Sequence, residues 1–437
     1  MRKAALHNLG CKVNSYETEA MTQLLKKAGY EIVSFQDQAD VYIINTCSVT
    51  NMADRKSRQM LHKAKKQNPN AVVVATGCYV QTATEKVAQD LSIDLVVGNN
   101  RKKDIVEILN EYYAEKEAGE QVKEEYVIDI NHTDEYEDLE ISTVTEHTRA
   151  HLKIQDGCNN FCSYCIIPYA RGRIRSRTMG SIKAELERLS ASGFKEIVLT
   201  GINLSCYDDN GKKLIDVIEM ADNVNGIERI RLGSLDPEVV TEDFVERLGK
   251  VKKICPHFHF SLQSGCDKTL KAMNRHYTSD EYYEKCQLIR KYIDNPAFTT
   301  DVIVGFPGET EEDYISSREF VKKVKFAELH VFKYSKRDGT VAAKMPNQID
   351  EKIKTLRSED LIKTGEELTK EFRQAKIGQD TTVLFEEKIL LDSKEYWVGH
   401  TVDYIKIAVP EKENLEGQIR KVNVKDFLTN EIMLATM

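Results

Sequence analysis

His151-Leu152-Lys153-Ile154-Gln155-Asp156-Gly157-Cys158-Asn159-Asn160-Phe161-Cys162-Ser163-Tyr164-Cys165 is the stretch on which the fold turns. The run His151–Gln155 reads as a short strand. The remainder is a loop in which three residues separate the first cysteine pair and two the second. Loops leaving the carboxyl ends of barrel strands are where β/α active sites are built. Three thiolates hold three corners of a cubane iron–sulfur cluster, which ordinarily takes four cysteines, so one iron is left open to a substrate or cofactor. Zinc is the competing occupant, but structural zinc closes four ligands, usually as short-spaced couples. The loop offers three, with His151 available as a fourth and Cys206, Cys255, Cys266 and Cys286 scattered further on.

Outward from the loop, strand-like and helical patterns alternate. Strands are expected at Ile197–Thr200, Arg229–Gly233, His257–Leu262, Thr299–Val304 and His330–Tyr334. Between them lie helical stretches at Ser181–Ser192, Leu214–Asn223, Pro237–Leu248, Ser279–Ile293 and Glu311–Val324. Six β/α units in series predict a partial (β/α)6 barrel rather than a closed eightfold one. A long polar helix, Asp350–Ala375, completes a unit over 148–375. Residues 1–110 alternate apolar runs (Ala4–Leu9, Asp40–Asn45, Ala71–Thr76, Leu95–Gly98) with helical stretches, which predicts a doubly wound parallel sheet. Residues 111–147 carry 13 acidic side chains and 2 lysines and read as an acidic linker or lid. In 376–437, five short alternating runs predict a small β-barrel of a kind that often binds RNA. The chain is therefore expected to be α/β with a terminal β-barrel.

The 437-residue length suits about three domains at ~150 residues each. No run approaches the ~20 apolar residues of a membrane helix, and the basic start MRKAALHNLGCK lacks the apolar core of a signal peptide. A cytoplasmic protein without membrane association is expected. Ten clustered cysteines fit a reducing compartment in which thiolates serve metals. The net charge of −8 argues against a general nucleic-acid coating, so any RNA contact must be local.

Cys11, Cys47 and Cys78 are separated by 35 and 30 residues, yet each follows an apolar run and precedes a helix. In an open parallel sheet such loops gather at one edge, the usual ligand crevice. One cysteine so placed is ordinarily inert packing. Three at the same point of successive units predict a second three-thiolate centre, with zinc again the alternative.

These features together resemble the radical SAM methylthiotransferase family. Cys158-x3-Cys162-x2-Cys165, with Tyr164 before the last cysteine, resembles the radical SAM signature. Leu9-Gly10-Cys11-Lys12-Val13-Asn14, Asn45-Thr46-Cys47, Gly77-Cys78, Ile167–Arg177, Leu262-Gln263-Ser264-Gly265, Val304–Glu309 and Tyr334-Ser335-Lys336-Arg337 extend the likeness over nearly the whole chain. The resemblance implies an N-terminal cluster domain, a radical SAM domain and a C-terminal TRAM barrel. It implies two 4Fe-4S clusters, one on Cys158, Cys162 and Cys165 with S-adenosyl-L-methionine, the other on Cys11, Cys47 and Cys78. No catalytic side chain beyond these ligands is implied. Tyr164 is implied to lie near the adenine of the cofactor. Asn203, Ser234, Gln263 and Gly305, at strand ends, are further candidate cofactor contacts, though each polar one suits a cap or turn equally.

Lys12-Val13-Asn14 with Tyr16-Glu17, and Gly339–Met345, resemble the branch acting on N6-threonylcarbamoyladenosine at tRNA position 37. Isopentenyladenosine in tRNA and an aspartate of a ribosomal protein are the substrates of the other branches. A metal-stabilised RNA-binding protein is the non-enzymatic alternative. Implied partners are a tRNA anticodon loop, an electron donor such as a flavodoxin, and a sulfur donor. Arg171, Arg173, Arg175 and Arg177 alternate after the cysteine loop, which predicts one cationic side of an extended segment facing phosphates. Ion pairing with the many acidic residues is the alternative use of the same arginines.

Overall fold

A computed structural model describes residues 1–120, 122, 124–141 and 148–437. The N-terminal sheet is parallel throughout. Its order is Glu31–Ile32, Lys3–Asn8, Val41–Thr46, Val72–Gly77, Leu95–Val97, Glu125–Tyr126. Val41–Thr46 and Val72–Gly77 are buried at every residue, because helices cover both faces. Met21 and Leu25 of the first helix (Lys12–Lys27) pack on one face with Ile105 and Leu109 of helix Ile105–Ala118. Leu61 and Ala64 of helix Asn51–Gln67 pack on the other. The expected doubly wound architecture is present, with the two short outer strands as additions.

The expectation of an acidic linker over 111–147 gives way to ordered structure. Residues up to Ala118 continue a helix, and Glu125–Tyr126 forms the sixth strand. Tyr126, Ile130, Leu139 and Ile141 are buried anchors. Several carboxylates between them are exposed yet paired: Asp138 with Arg177 at 2.8 Å, Glu140 with Arg188 at 3.0 Å and Glu135 with Lys103 at 2.9 Å. Residues 121, 123 and 142–147 of this segment lie outside the described residues.

The central unit is the six-stranded partial barrel. Its strands are Arg149–Lys153, Glu196–Thr200, Arg229–Leu232 (continued by Ser234–Leu235), His257–Phe260, Ala297–Val304 and Glu328–Lys333. All neighbours run parallel. Side chains alternate with period two. Ala150, Leu152, Ile197, Leu199, Ile230, Leu232, Phe258 and Phe260 face outward into the main core. Their neighbours, among them Lys153, Arg231, His259 and Asp301, therefore line the lumen. Among the described residues the first and sixth strands do not pair, so the barrel is open on one side.

The N-terminal sheet spans that opening and is clasped at both edges. On the first-strand side, Glu17 of the first helix receives Lys153 Nζ at 2.7 Å and the Arg171 guanidinium. On the sixth-strand side, Arg337 pairs with Asp54 at 2.7 Å and donates to Ser48 Oγ at 2.7 Å.

The terminal barrel is closed, in the order Asp380–Leu391, Lys394–Thr401, Lys406–Pro410, Met433–Thr436, Ile419–Phe427. It seals the lumen floor at the amino ends of the strands. Arg231 donates to the carbonyls of Val402 and Thr401, both at 3.1 Å, and Arg229 to that of Thr382 at 2.8 Å. Tyr404 stacks on His257, with ring centroids 5.0 Å apart. Among the described residues no helix is long and apolar enough to cross a membrane.

Candidate functional site

The loop Cys158–Cys165 leaves the carboxyl end of the first barrel strand, as expected, and is fixed from three directions. Cys158 N donates to Gly172 O at 3.1 Å, Ser163 N to Met273 O at 2.9 Å, and Ala342 N to Ser163 O at 2.7 Å. Asn274 Nδ2 donates to the carbonyls of Asn160 and Phe161 at 3.1 and 3.2 Å. Gly157, at φ +72°, makes the crossing possible, since a Cβ there would lie 1.8 Å from Arg173 O. Burial pushes the Cys165 thiol up to about 12, and the neighbouring Cys162 and Cys158 sulfurs add to the rise. Burial raises Cys158 as well. Arg275 Nη1 donates to Cys162 Sγ at 3.3 Å while its Nη2 holds Asp236 Oδ2 at 2.6 Å. The guanidinium is thus held in place by one carboxylate and offers its other side to a sulfur.

The second triad assembles as the repeated strand-end placement predicts. Cys11, Cys47 and Cys78 stand at the carboxyl edge of the N-terminal sheet, just past strands Lys3–Asn8, Val41–Thr46 and Val72–Gly77. Gly10, at φ +105°, lets the Cys11 loop pass Cys47, because a Cβ there would lie 2.8 Å from Cys47 Sγ. Burial pushes the Cys47 thiol up to about 11, with Cys78 and Cys11 both contributing as nearby charges. Arg171 Nε donates to Cys78 Sγ at 3.2 Å, and Asn99 Nδ2 reaches the same sulfur at 3.9 Å.

Behind Cys78 lies a buried ionic cluster. Four buried cations (Lys102, Lys153, Arg171, Arg175) face three buried carboxylates (Glu17, Glu137, Asp156). The cations outnumber the carboxylates by one, and Arg171 of this cluster faces the Cys78 sulfur. Burial pushes Glu17 up, but Arg171, Lys102 and Lys153 outweigh it and hold its carboxyl well below the usual range. Asp156, just before the cysteine loop, is held at about 2, because Lys153, Arg171 and Arg175 outweigh its burial. The network bonds to Cys78 at one end and, through Asp156 Oδ1 accepting from Gly157 N at 2.8 Å, to the backbone just before Cys158 at the other.

Both triads suit a cubane better than zinc. Zinc thiolates at ~2.3 Å from the metal stand ~3.8 Å apart. The three sulfurs of neither triad gather within 4.8 Å of one another. Each triad also has a buried arginine donating to one sulfur, which favours an anionic, sulfur-rich occupant.

The remaining expected site residues divide. Tyr164 packs beside Met273, Phe306 and Tyr334, close to Cys162 and Arg275. Asn203 Nδ2 lies 3.9 Å from Cys158 Sγ. Ser234 is exposed at its strand end, and Gln263, at φ +66°, bridges to the fifth strand. Gly305 does not stand where a ligand needs close approach. Its amide donates to Glu309 at 2.7 Å, and a Cβ would strike the Lys354 stem at 2.3 Å.

The arginine series is corrected too. Arg171, Arg175 and Arg177 are buried, so they meet carboxylates and carbonyls rather than phosphates. Arg177 pairs with Glu185 at 2.6 Å, and Arg175 donates to Arg171 O at 2.9 Å. The segment is only partly extended: Ile167–Arg171 is a short helix, the chain turns at Gly172, and Arg175–Ser176 pairs antiparallel with Gln155–Asp156. Only Arg173 of the four stays partly exposed, over the Phe161 ring at 4.6 Å.

A cavity of about 760 Å³ opens at the seam between sheet and barrel, with Cys11 and Lys12 on one wall and His151 on another. Sequence reasoning did not find Glu17, Lys102, Arg275 or the Arg337 clasp as site residues. Asp156 and Lys153 carried one usable signal: charged residues within or just after a strand whose outward positions are apolar.

Residues 3–98 match the uncharacterized protein family UPF0004, and residues 152–321 match the radical SAM superfamily. The threonylcarbamoyladenosine tRNA methylthiotransferase MtaB of Bacillus subtilis is 41% identical over 430 residues, covering 97% of this chain and 94% of that protein. Its namesake in Aquifex aeolicus is 40% identical, covering 90% and 95%. A tRNA-2-methylthio-N(6)-dimethylallyladenosine synthase of Pelotomaculum thermopropionicum is 34% identical, covering 88% and 87%. Among solved structures, the radical S-adenosylmethionine methyltransferase TsrM of Kitasatospora setae superposes with TM-score 0.58 at 16% identity, covering 76% of this chain and 73% of that one. That likeness concerns the fold alone.

Proposed function

This chain belongs to the methylthiotransferase family of radical SAM enzymes, and from that premise we propose that it adds a methylthio group to carbon 2 of N6-threonylcarbamoyladenosine at tRNA position 37, using two 4Fe-4S clusters. The observation that supports the reading is that two cysteine triads each gather at the carboxyl ends of parallel strands, with Arg171 bonding both Cys78 and Asp156, the residue two before Cys158. The branch assignment rests on Lys12-Val13-Asn14 and on relatives of that name.

Cys158, Cys162 and Cys165 would hold the cluster that binds S-adenosylmethionine, and Cys11, Cys47 and Cys78 the auxiliary one. When bound, these groups supply hydrogen-atom abstraction at an unreactive C–H and the sulfur that replaces the hydrogen. The chain's own part is placement. Arg275 and Arg171 each donate an N–H to a sulfur, which orients that ligand. The Glu17 and Asp54 clasps hold the N-terminal sheet across the barrel's open side, shielding the lumen. Position 37 is single-stranded, so its base can enter the mouth without opening a duplex. A flavodoxin-type electron donor, a sulfur donor and a reducing cytoplasm complete the proposal.

The test is anaerobic incubation of the reconstituted enzyme with an anticodon stem-loop carrying N6-threonylcarbamoyladenosine, followed by nucleoside mass spectrometry. The 2-methylthio product is expected. Product formed only from an isopentenyladenosine stem-loop, or only on a ribosomal-protein aspartate, would overturn the assignment.

A further inference from the structure

Below the cysteine loop, the lumen wall carries a polar shelf that the cluster chemistry leaves unused. His259 Nε2 lies 3.4 Å from Asp301 Oδ2, and its Nδ1 lies 3.0 Å from Thr299 Oγ1. The His259 ring stacks on that of His330, with centroids 5.8 Å apart. Nitrogen and oxygen atoms of all three side chains lie within 4.8 Å of one another. Asp301 and His330 are opposite residues of neighbouring strands. His330 is exposed, because the sixth strand borders the open side of the barrel.

Lys12 enters from the N-terminal sheet. It lines the seam cavity beside Cys11, and its charged neighbours are Arg149, Arg231 and Glu196 of the lumen. His257 and His259 stand two residues apart on the fourth barrel strand, on its lumen side, and Lys12 and His330 both carry charge near His257. Arg231 is already committed to Glu196 at 2.8 Å and to two carbonyls of the terminal barrel. Lys12 makes no hydrogen bond or ion pair among the described residues, so it retains its capacity to take an anion.

We propose that this wall is the seat of the threonylcarbamoyl arm: Lys12 takes its carboxylate, and His330 with the His259–Asp301 pair takes its hydroxyl and ureido groups. The inference rests on the substrate reading above. The arm offers one carboxylate, one hydroxyl and a ureido linkage, and the wall offers a lysine, two imidazoles and a carboxylate to meet them. An apolar isopentenyl arm offers no partner to Lys12 or His330 and would displace the water on them, which a site built for polar contacts disfavours.

The test measures steady-state kinetics of the reconstituted holoenzyme on two stem-loops, one with the natural threonyl carboxylate and one with its carboxamide. Lys12→Gln should raise KM for the acid about 10- to 100-fold with little change in kcat, the cost of one charged hydrogen bond. It should match the wild type on the amide, and Lys12→Arg should recover most of the loss on the acid. His330→Ala, on an exposed edge strand, should raise KM for both substrates. Wild-type turnover with unchanged KM in both Lys12→Gln and His330→Ala, or equal loss on acid and amide in Lys12→Gln, would overturn this seat and leave the substrate reading standing. Failure of the wild type on both stem-loops would overturn the substrate reading, and the seat with it. A zinc or iron(II) ion retained outside the clusters by the wild type and lost in His330→Ala would make the shelf a metal site and also overturn the proposal.

Discussion

The two cysteine triads reach similar chemistry by opposite routes. Cys158, Cys162 and Cys165 lie on one loop that neighbouring backbone pins, and the arginine serving it, Arg275, is held within the barrel by Asp236. Cys11, Cys47 and Cys78 come from three separate strand ends, and the arginine serving them, Arg171, comes from the barrel and is held by Glu17 of the N-terminal sheet. The first site is local and self-contained. The cysteines of the second all belong to the N-terminal sheet, but Arg171 reaches Cys78 only when the two units are docked, so the state of that site reports the docking.

The strongest way to break that comparison is to remove ligands. Cys162→Ala should abolish cleavage of S-adenosylmethionine to background, read as 5′-deoxyadenosine. Cys47→Ala should retain cleavage and form no methylthio product. Methylthio product from the Cys47 variant would end the division of roles.

Next in size is the clasp. Glu17→Gln removes a carboxylate that buried Lys102, Lys153 and Arg171 share. Breaking one partner of a buried ionic group costs about 3–5 kcal/mol. Thermal unfolding should show that loss, with the auxiliary iron depleted before the iron of the loop. Equal depletion of both would mean the second site does not depend on docking.

The glycines sharpen the contrast. Gly10→Ala forces a Cβ against Cys47 in a left-handed conformation, a strain of about 1–3 kcal/mol. Iron analysis should show loss confined to the auxiliary site. Gly157→Ala should disturb the loop cluster first, because its Cβ meets the Arg173 carbonyl.

The smallest effect concerns the lumen floor. Burial, with Arg231, Lys12, His259 and His330 nearby, holds His257 well below its usual 6.5. The folded state keeps His257 neutral while the unfolded chain takes up a proton below 6.5. Its contribution is therefore full above 6.5 and is lost as pH falls from there toward the depressed folded value, at about 1.4 kcal/mol per unit at most. Denaturant titrations of His257→Gln and wild type should diverge over that range and run parallel above it.

How much the sequence disclosed follows the same division. The cysteine loop was legible because its ligands are neighbours in the chain. The dispersed triad was legible only through a repeated position, each cysteine one step past an apolar strand. Strand placement in the barrels was likewise carried by period-two alternation, as in His257-Phe258-His259-Phe260. What pairs a buried charge across 154 residues, as Arg171 and Glu17 are paired, leaves no local trace. The alternating arginines therefore looked like a phosphate-facing strip, and the acidic stretch before residue 148 like a linker. Arg171 and Arg177 were halves of buried ion pairs whose other halves lay in distant segments, and the acidic stretch is pinned by buried Tyr126, Ile130, Leu139 and Ile141 set among its carboxylates.

The central claim is that there are two iron clusters, one on each triad, and anaerobic iron and sulfide analysis tests it most directly by counting them. About eight irons with matching sulfide are expected in the reconstituted wild type, and about four in the Cys11, Cys47, Cys78→Ala triple variant with cofactor cleavage intact. About four irons in the wild type, or zinc in place of iron at either triad, would contradict it.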